Sequence, residues 1–170
     1  MEEDFEEHLA RRGLRLSNYL YVDYEKELVT FPLYNLSGIL KGVQTYNWKS
    51  EIRGKNTEDC RYYNQRDKTS ITYFTTPDIN IMDNRDLHVV EGIWDAIRVI
   101  EAGYKCIAVM TSTPRYVKQL LETIPCKTIA LCDGDKAGKM LSRATDERII
   151  LPEDKDPNDM TQQELIELLK

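Results

Sequence analysis

The sequence predicts an α/β fold, a parallel sheet flanked by helices, with a smaller N-terminal β-rich lobe of α+β character. Three observations carry that expectation. From about residue 86, short apolar runs alternate with amphipathic helical stretches, the pattern of parallel strands covered on both faces. Ahead of that point, residues 19–46 alternate apolar and polar positions around polar turns, as an antiparallel meander does. The chain has 170 residues, 41% of them hydrophobic, so it can bury a core as one domain or two small lobes. Wholesale disorder and a disulfide-stapled miniprotein are excluded on the same grounds.

The elements follow in order. Asp4 to Arg12 has helical spacing, with Phe5 and Leu9 four apart and Gly13 placed to stop it. YLYVDYEKELVTFPLY reads as two strands around a polar turn, and Asn35 to Gly38 turns the chain into ILKGVQTY. Residues 47–70 are polar and irregular, with WKSEIRGKNTED a flexible loop. Leu87–Val90, Cys106–Met110, Thr128–Cys132 and Arg148–Leu151 read as buried strands. Ile93–Ala102, Pro114 to about Thr123 and Lys136 to about Ala144 read as the intervening helices. A last helix, residues 161–170, is announced by the capping box Thr161-Gln-Gln-Glu164. The organisation expected is therefore an N-terminal β-rich lobe over 1–85, an α/β domain over 86–160 and a closing helix.

No apolar stretch approaches the roughly 18 residues of a membrane helix. The acidic N-terminus, MEEDFEEHLARR, has the wrong chemistry for a signal or transit peptide. Cys60, Cys106, Cys126 and Cys132 include no C-x-x-C pair, and two lie in strand-like runs, so reduced thiols in a cytosol-like compartment are expected. His8, on the acidic helix, and His88, at the start of a strand, have no partner that suggests catalysis and are assigned to structure. The net charge of −6 argues against a nonspecific DNA coat. That average hides a pattern. Residues 41–73 carry seven basic side chains against four acidic ones, interleaved with tyrosines and Trp48, which marks a candidate polyanion surface.

The informative residues are acids at strand ends. Glu91-Gly92 follows the first parallel strand, with Asp95 one helical turn on; Asp133-Gly134-Asp135 follows the third; Asp156, Asn158 and Asp159 follow the fourth. The carboxyl ends of parallel strands form the ligand crevice, so three acidic clusters converge on one edge. Such crowding is unfavourable unless cations neutralise it, and oxygen ligands in an open cluster suit Mg²⁺ or Mn²⁺ better than zinc. Each motif alone has an ordinary explanation: D-x-D as a turn or cap, E-G as a tight turn, D-P-N-D as a turn. Their coincidence at three strand ends favours a metal site for phosphoryl transfer.

VVEGIWDAIRVIEAG, IALCDGDKAGK and IILPEDKDPNDM together resemble the Toprim domain of primases, topoisomerases and related nucleases over residues 87–160. The resemblance implies a general acid/base or metal-ligand role for Glu91 and metal binding by Asp133 and Asp135. Asp95, Asp156 and Asp159 would complete the acidic site or support it from behind. Upstream, FPLYNLSGILKGVQTYN resembles the primase strand–turn–strand, RYYNQRDKTSITYF its basic nucleotide-contacting segments, and LARRGL the start of that lobe. Toprim nucleases and topoisomerases lack this lobe, so the match points to the primase branch. It implies nucleotide or DNA contacts for Arg61, Lys68, Tyr62, Asn64 and Tyr73, to which Lys136 and Lys139 are added.

Two departures stand out in the motifs. Asn158 occupies a position that is commonly Asp; it can still ligate a hard cation through its carbonyl but brings no charge. Arg61 replaces the more usual Lys, with different donor geometry. No Cys/His zinc ribbon and no helical lobe after the Toprim region are present in the 170 residues. The expectation is a DNA primase catalytic core that joins ribonucleotides on single-stranded DNA with Mg²⁺ or Mn²⁺. Its partners would be NTPs, a replicative helicase and a separate zinc-binding protein, in a bacterial or phage-infected cytoplasm, with no membrane. The alternatives are a Toprim-type nuclease using the same acids, or a non-catalytic module that binds DNA or docks a helicase.

Overall fold

A computed structural model describes residues 3–14, 20–111, 113–132, 136–152 and 155–170. The chain divides into two compact units, Met1–Thr72 and Tyr73–Lys170.

In the first unit, α1 (Phe5–Arg11) starts at a capping box in which the Asp4 carboxylate accepts from the Glu7 N–H and the Glu7 carboxylate accepts from the Asp4 N–H. It ends at Gly13, whose φ of +84° suits a residue without a Cβ. Its buried residues, Phe5, His8 and Leu9, fall on one face. Four antiparallel strands in sequential order make the sheet: β1 (Tyr21–Asp23), β2 (Leu28–Tyr34), β3 (Leu40–Asn47) and β4 (Tyr62–Arg66). The β2–β3 turn is held by the Asn35 carboxamide, which accepts from the N–H groups of Ser37 and Ile39. Val29, Phe31 and Tyr46 are fully buried, and Trp48 stacks on both Phe5 and His8 of α1. His8 is thus a core residue, hydrogen-bonded at 2.8 Å to the Tyr46 hydroxyl, rather than a member of an acidic surface.

Strand β4 corrects the expectation of an irregular 47–70 segment. Its inward positions, Tyr62 and Asn64, pair with Tyr46 and Gln44 of β3, and the Gln44 carboxamide donates to Asn64 at 2.8 Å. A strand whose inward residues are a tyrosine and an asparagine carries no apolar alternation, so the pattern could not reveal it. The loop before it is exposed yet hydrogen-bonded, through Ser50 Oγ to the Asp59 carbonyl and the Arg61 N–H to the Ile52 carbonyl.

The second unit is a four-stranded parallel sheet, ordered β6-β5-β7-β8: β5 (Leu87–Val90), β6 (Cys106–Ala108), β7 (Thr128–Cys132) and β8 (Glu147–Ile150). The first three are buried throughout, and β8 is a more exposed edge. Helix α2 (Ile93–Glu101) packs with α5 (Gln162–Leu168), while α3 (Pro114–Leu121) packs with α4 (Lys136–Leu141). Right-handed crossovers in this strand order put those two pairs on opposite faces. The capping box at Thr161 and Glu164 is present at the start of α5.

The two units meet at 72/73, and residues 73–85 hang on the parallel sheet. Phe74 bridges Ala108 by two backbone hydrogen bonds, and the Thr75 hydroxyl donates to the Cys106 carbonyl. Lys105, its side chain fully buried, donates to the carbonyls of Ile81 and Asp83 and to the Asp83 carboxylate. These contacts join residues 22 to 34 apart and leave no local periodicity. His88 is buried, with its Nδ1–H donating to the Lys105 carbonyl at 3.1 Å and its ring edge-on to Tyr104, a structural role.

Candidate active site

The chain leaves β5 to build β6 on one side, then crosses back to build β7 on the other, so the sheet's switch point lies between β5 and β7. A cavity of about 140 Å³ opens at the carboxyl ends of these strands. Its walls are Val90 and Glu91 after β5, Asp95 on α2, Leu131 and Cys132 at the end of β7, Gly138 and Leu141 on α4, and Leu151, Asp156 and Pro157 after β8. Three of the sequence-identified acids, Glu91, Asp95 and Asp156, therefore share one cavity. Asp133 and Asp135 lie outside the described residues; in sequence they join two segments that line it.

The acids are held in different ways. Glu91 is exposed at the mouth, and its backbone carbonyl accepts from the Met110 N–H. Asp95 Oδ1 accepts from the Asn158 backbone N–H at 3.2 Å, which ties α2 to the acidic turn. The Asn158 carboxamide donates to the Trp94 carbonyl at 3.3 Å. Asp156 and Asp159 form a capping box around the 3₁₀ turn Pro157–Asp159, each carboxylate accepting from the other's N–H. Asp159 thus shapes the turn and is not among the cavity's lining residues. Cys106, completely buried on β6, has its thiol pushed well above the usual range by desolvation, with the Asp95 charge adding to the effect.

The donors that Glu91, Asp95 and Asp156 present are carboxylate oxygens, the chemistry of a hard divalent cation. Among the described residues, no three histidine, cysteine, aspartate or glutamate side chains come together in a group that could hold a metal ion.

The basic and aromatic candidates are scattered in role. Arg61 is only 14% exposed; its Nε donates to the Ser50 carbonyl at 2.7 Å and its guanidinium pairs with Glu51, so it pins the loop before β4. Lys68 is exposed in the turn after β4. Tyr62 packs its ring 5.3 Å from Tyr46, and Asn64 is engaged by Gln44 and Asn56. Tyr73 is 4% exposed and belongs to the core of the second unit, which keeps its ring from offering a stacking surface. Lys136 opens α4, and Lys139 stands exposed on the same helix.

No family model matches the sequence, and no curated protein matches it. Solved structures do. The zinc-binding and RNA polymerase domains of Aquifex aeolicus primase match 96% of this chain and 45% of that one, with a TM-score of 0.62 at 23% identity. The E. coli primase catalytic core matches 96% of this chain and 57% of that one, with a TM-score of 0.58 at 18% identity. The primase fragment of the bacteriophage T7 primase-helicase matches 84% of this chain and 60% of that one, with a TM-score of 0.62 at 14% identity. The fold is that of a primase catalytic core. The chain spans about half the length of the Aquifex and E. coli primase structures it matches.

Two residues of this primase-core fold have roles that sequence reasoning missed. Gly92 reads as a turn glycine, yet its φ of −97° demands no glycine. What it provides is room: a Cβ there would lie 2.8 Å from Asp95 Oδ2. Asn158 reads as a weakened ligand, and its amide nitrogen also ties the acidic turn to α2. The E-G motif's nearness to Asp95 was the available signal for the first. Nothing local signals the second, since its partner is 64 residues away. Among the described residues, no helix is long and apolar enough to cross a membrane.

Proposed function

We propose that the chain is the catalytic core of a DNA primase, synthesising short RNA primers on single-stranded DNA from NTPs. The observation that carries this reading is the cavity at the sheet's switch point, which gathers Glu91, Asp95 and Asp156 in a chain with the primase-core fold. The match of 96% of the chain, antiparallel unit included, favours a primase over a Toprim nuclease, which has no such unit. A non-catalytic docking module would have no use for crowded carboxylates that repel one another.

Mg²⁺ or Mn²⁺ would be held by Asp133, Asp135 and Glu91, and when bound would neutralise charge on the reacting phosphates. In the joining step a primer 3′-hydroxyl attacks the α-phosphate of an incoming NTP and pyrophosphate leaves. Glu91, exposed at the cavity mouth, would take the hydroxyl proton on its carboxylate or share the cation. Asp95 and the Asp156–Asp159 turn hold the shape of the acidic edge. Lys68, Lys139 and Lys136 supply positive charge for template or nucleotide phosphates, and Arg61 orders the loop beside β4. Tyr62 and Asn64 follow Arg61 on β4 and would act with it by holding the strand in place beside β3.

The neighbours also bear on partners. One is a primase catalytic domain bound to single-stranded DNA, and another is the phage primase domain with an RNA/DNA hybrid and dTTP. A replicative helicase and a zinc-binding element, both named in matched primases, are the partners proposed here, acting in a bacterial or phage-infected cytoplasm. The deciding experiment is primer synthesis on single-stranded DNA with labelled NTPs and Mg²⁺ or Mn²⁺, with and without a replicative helicase. Oligoribonucleotide product that Glu91→Gln abolishes supports the reading; shortened template in its place identifies a nuclease.

A further inference from the structure

We infer that Asn158 is a positioning residue, a clamp that fixes Asp95 before any cation arrives. The inference rests on reading the acidic cavity as the active site and goes on to say how this chain keeps that cavity in shape.

Asn158 makes two bonds to the start of α2. Its backbone N–H donates to Asp95 Oδ1 at 3.2 Å, and its side-chain Nδ2 donates to the Trp94 carbonyl at 3.3 Å. Any residue other than proline could supply the first bond; only a side chain with a donor can supply the second. An aspartate at 158 would set a carboxylate against the Trp94 carbonyl oxygen and beside Asp95. Like charges and an unmet acceptor would then push the turn away from α2 unless a cation intervened. The turn itself needs no help from Asn158: the Asp156–Asp159 capping box and buried Pro157 already shape it. The amide nitrogen attaches the turn to α2. Gly92 completes the arrangement from the other side, since its missing Cβ leaves the space that Asp95 Oδ2 occupies. The neutral amide lets Glu91, Asp95 and Asp156 keep their places around the cavity with one fewer negative charge to be offset.

The test compares Asn158→Asp and Asn158→Ala with the parent chain, by thermal unfolding in EDTA and in saturating Mn²⁺, with Mn²⁺ binding followed by electron paramagnetic resonance. In EDTA both variants should unfold about 3–8 °C lower, since each loses the Trp94 bond. Mn²⁺ should restore most of that loss in Asn158→Asp, where it neutralises the added charge, and little in Asn158→Ala, where no charge was added. A purely structural asparagine would show no such variant-specific rescue. Unchanged midpoints in EDTA, together with a tenfold or greater loss of Mn²⁺ affinity in Asn158→Ala, would make Asn158 a ligand and overturn the inference. Absence of Mn²⁺ binding by the parent chain would overturn the active-site reading, while the EDTA comparison would still decide the clamp.

Discussion

Gly92→Ala puts the smallest possible side chain at the point where the E-G motif meets the acidic turn. The backbone at Gly92, φ −97° and ψ 147°, suits alanine, so the perturbation is steric alone. The new Cβ would stand 2.8 Å from Asp95 Oδ2, and the carboxylate would have to retreat about 0.6 Å to reach the 3.4 Å at which ordinary contact begins. Its other oxygen already receives the Asn158 N–H at 3.2 Å, and a shift of that size stretches or breaks the bond. A hydrogen bond to a charged acceptor contributes about 1.5–3 kcal/mol. Alanine's smaller unfolded-state entropy returns about 0.4–1 kcal/mol. The net loss expected is about 1–2 kcal/mol, or roughly 2–8 °C in thermal midpoint for a chain of this size. Calorimetry of Gly92→Ala, Asp95→Ala and the double variant measures it. In the Asp95→Ala background the methyl has no carboxylate to displace, so Gly92→Ala should there be neutral or slightly stabilising. An equal loss in both backgrounds, or no loss in the first, would refute the reasoning.

Lys105→Met should lower the thermal midpoint by on the order of 10 °C, because it strips the donor from the Ile81 and Asp83 carbonyls and leaves the Asp83 carboxylate with Arg85 alone. A change under 2 °C would mean that the 73–85 segment is held by other contacts. His8 and His88 are both pushed below the ordinary histidine value, chiefly by burial. The unfolded chain then binds more protons just below pH 6.5, so stability is full above that value and falls as pH drops through it. Carboxylates such as Glu164, lowered to about 2 mainly by its hydrogen bond with Lys155, withdraw their support only below about 4.5, which leaves the window from pH 5 to 6.5 to the histidines. Unfolding midpoints across that window should slope less in His88→Gln; an unaltered slope would contradict this assignment. For the proposed nucleic-acid contacts, Lys68→Ala should reduce the salt slope of single-stranded DNA binding by about 0.7 without changing the thermal midpoint. Arg61→Ala should lower the midpoint as well, because its guanidinium pins the loop at Ser50 and Glu51; an unmoved midpoint would return Arg61 to the surface.

How much of this was legible in the chain differs from element to element. Leu87–Val90 and Thr128–Cys132 match the sequence reading to the residue because strands buried on both faces are mostly apolar, with only His88 and Thr128 as polar members. Cys106–Ala108 came out two residues shorter than its apolar run, as Met110 takes a positive φ of 50° and ends the pairing. β4 was illegible, since its inward tyrosine and asparagine find hydrogen-bonding and aromatic partners in place of apolar ones.

The acids were identified by composition at strand ends, which chain order alone supplies; their gathering follows from a parallel sheet having only one carboxyl edge. Only the tertiary structure decided their division of labour. The Asp95–Asn158 bond joins residues 63 apart, and the Asn158–Trp94 bond joins residues 64 apart. The burial of Tyr73 is likewise a tertiary outcome, while Arg61 is employed on its own loop, 11 residues from Ser50. Periodicity records which face of an element is dry. It carries no record of which distant carbonyl a side-chain amide will meet, because that partner is set by how separate elements pack.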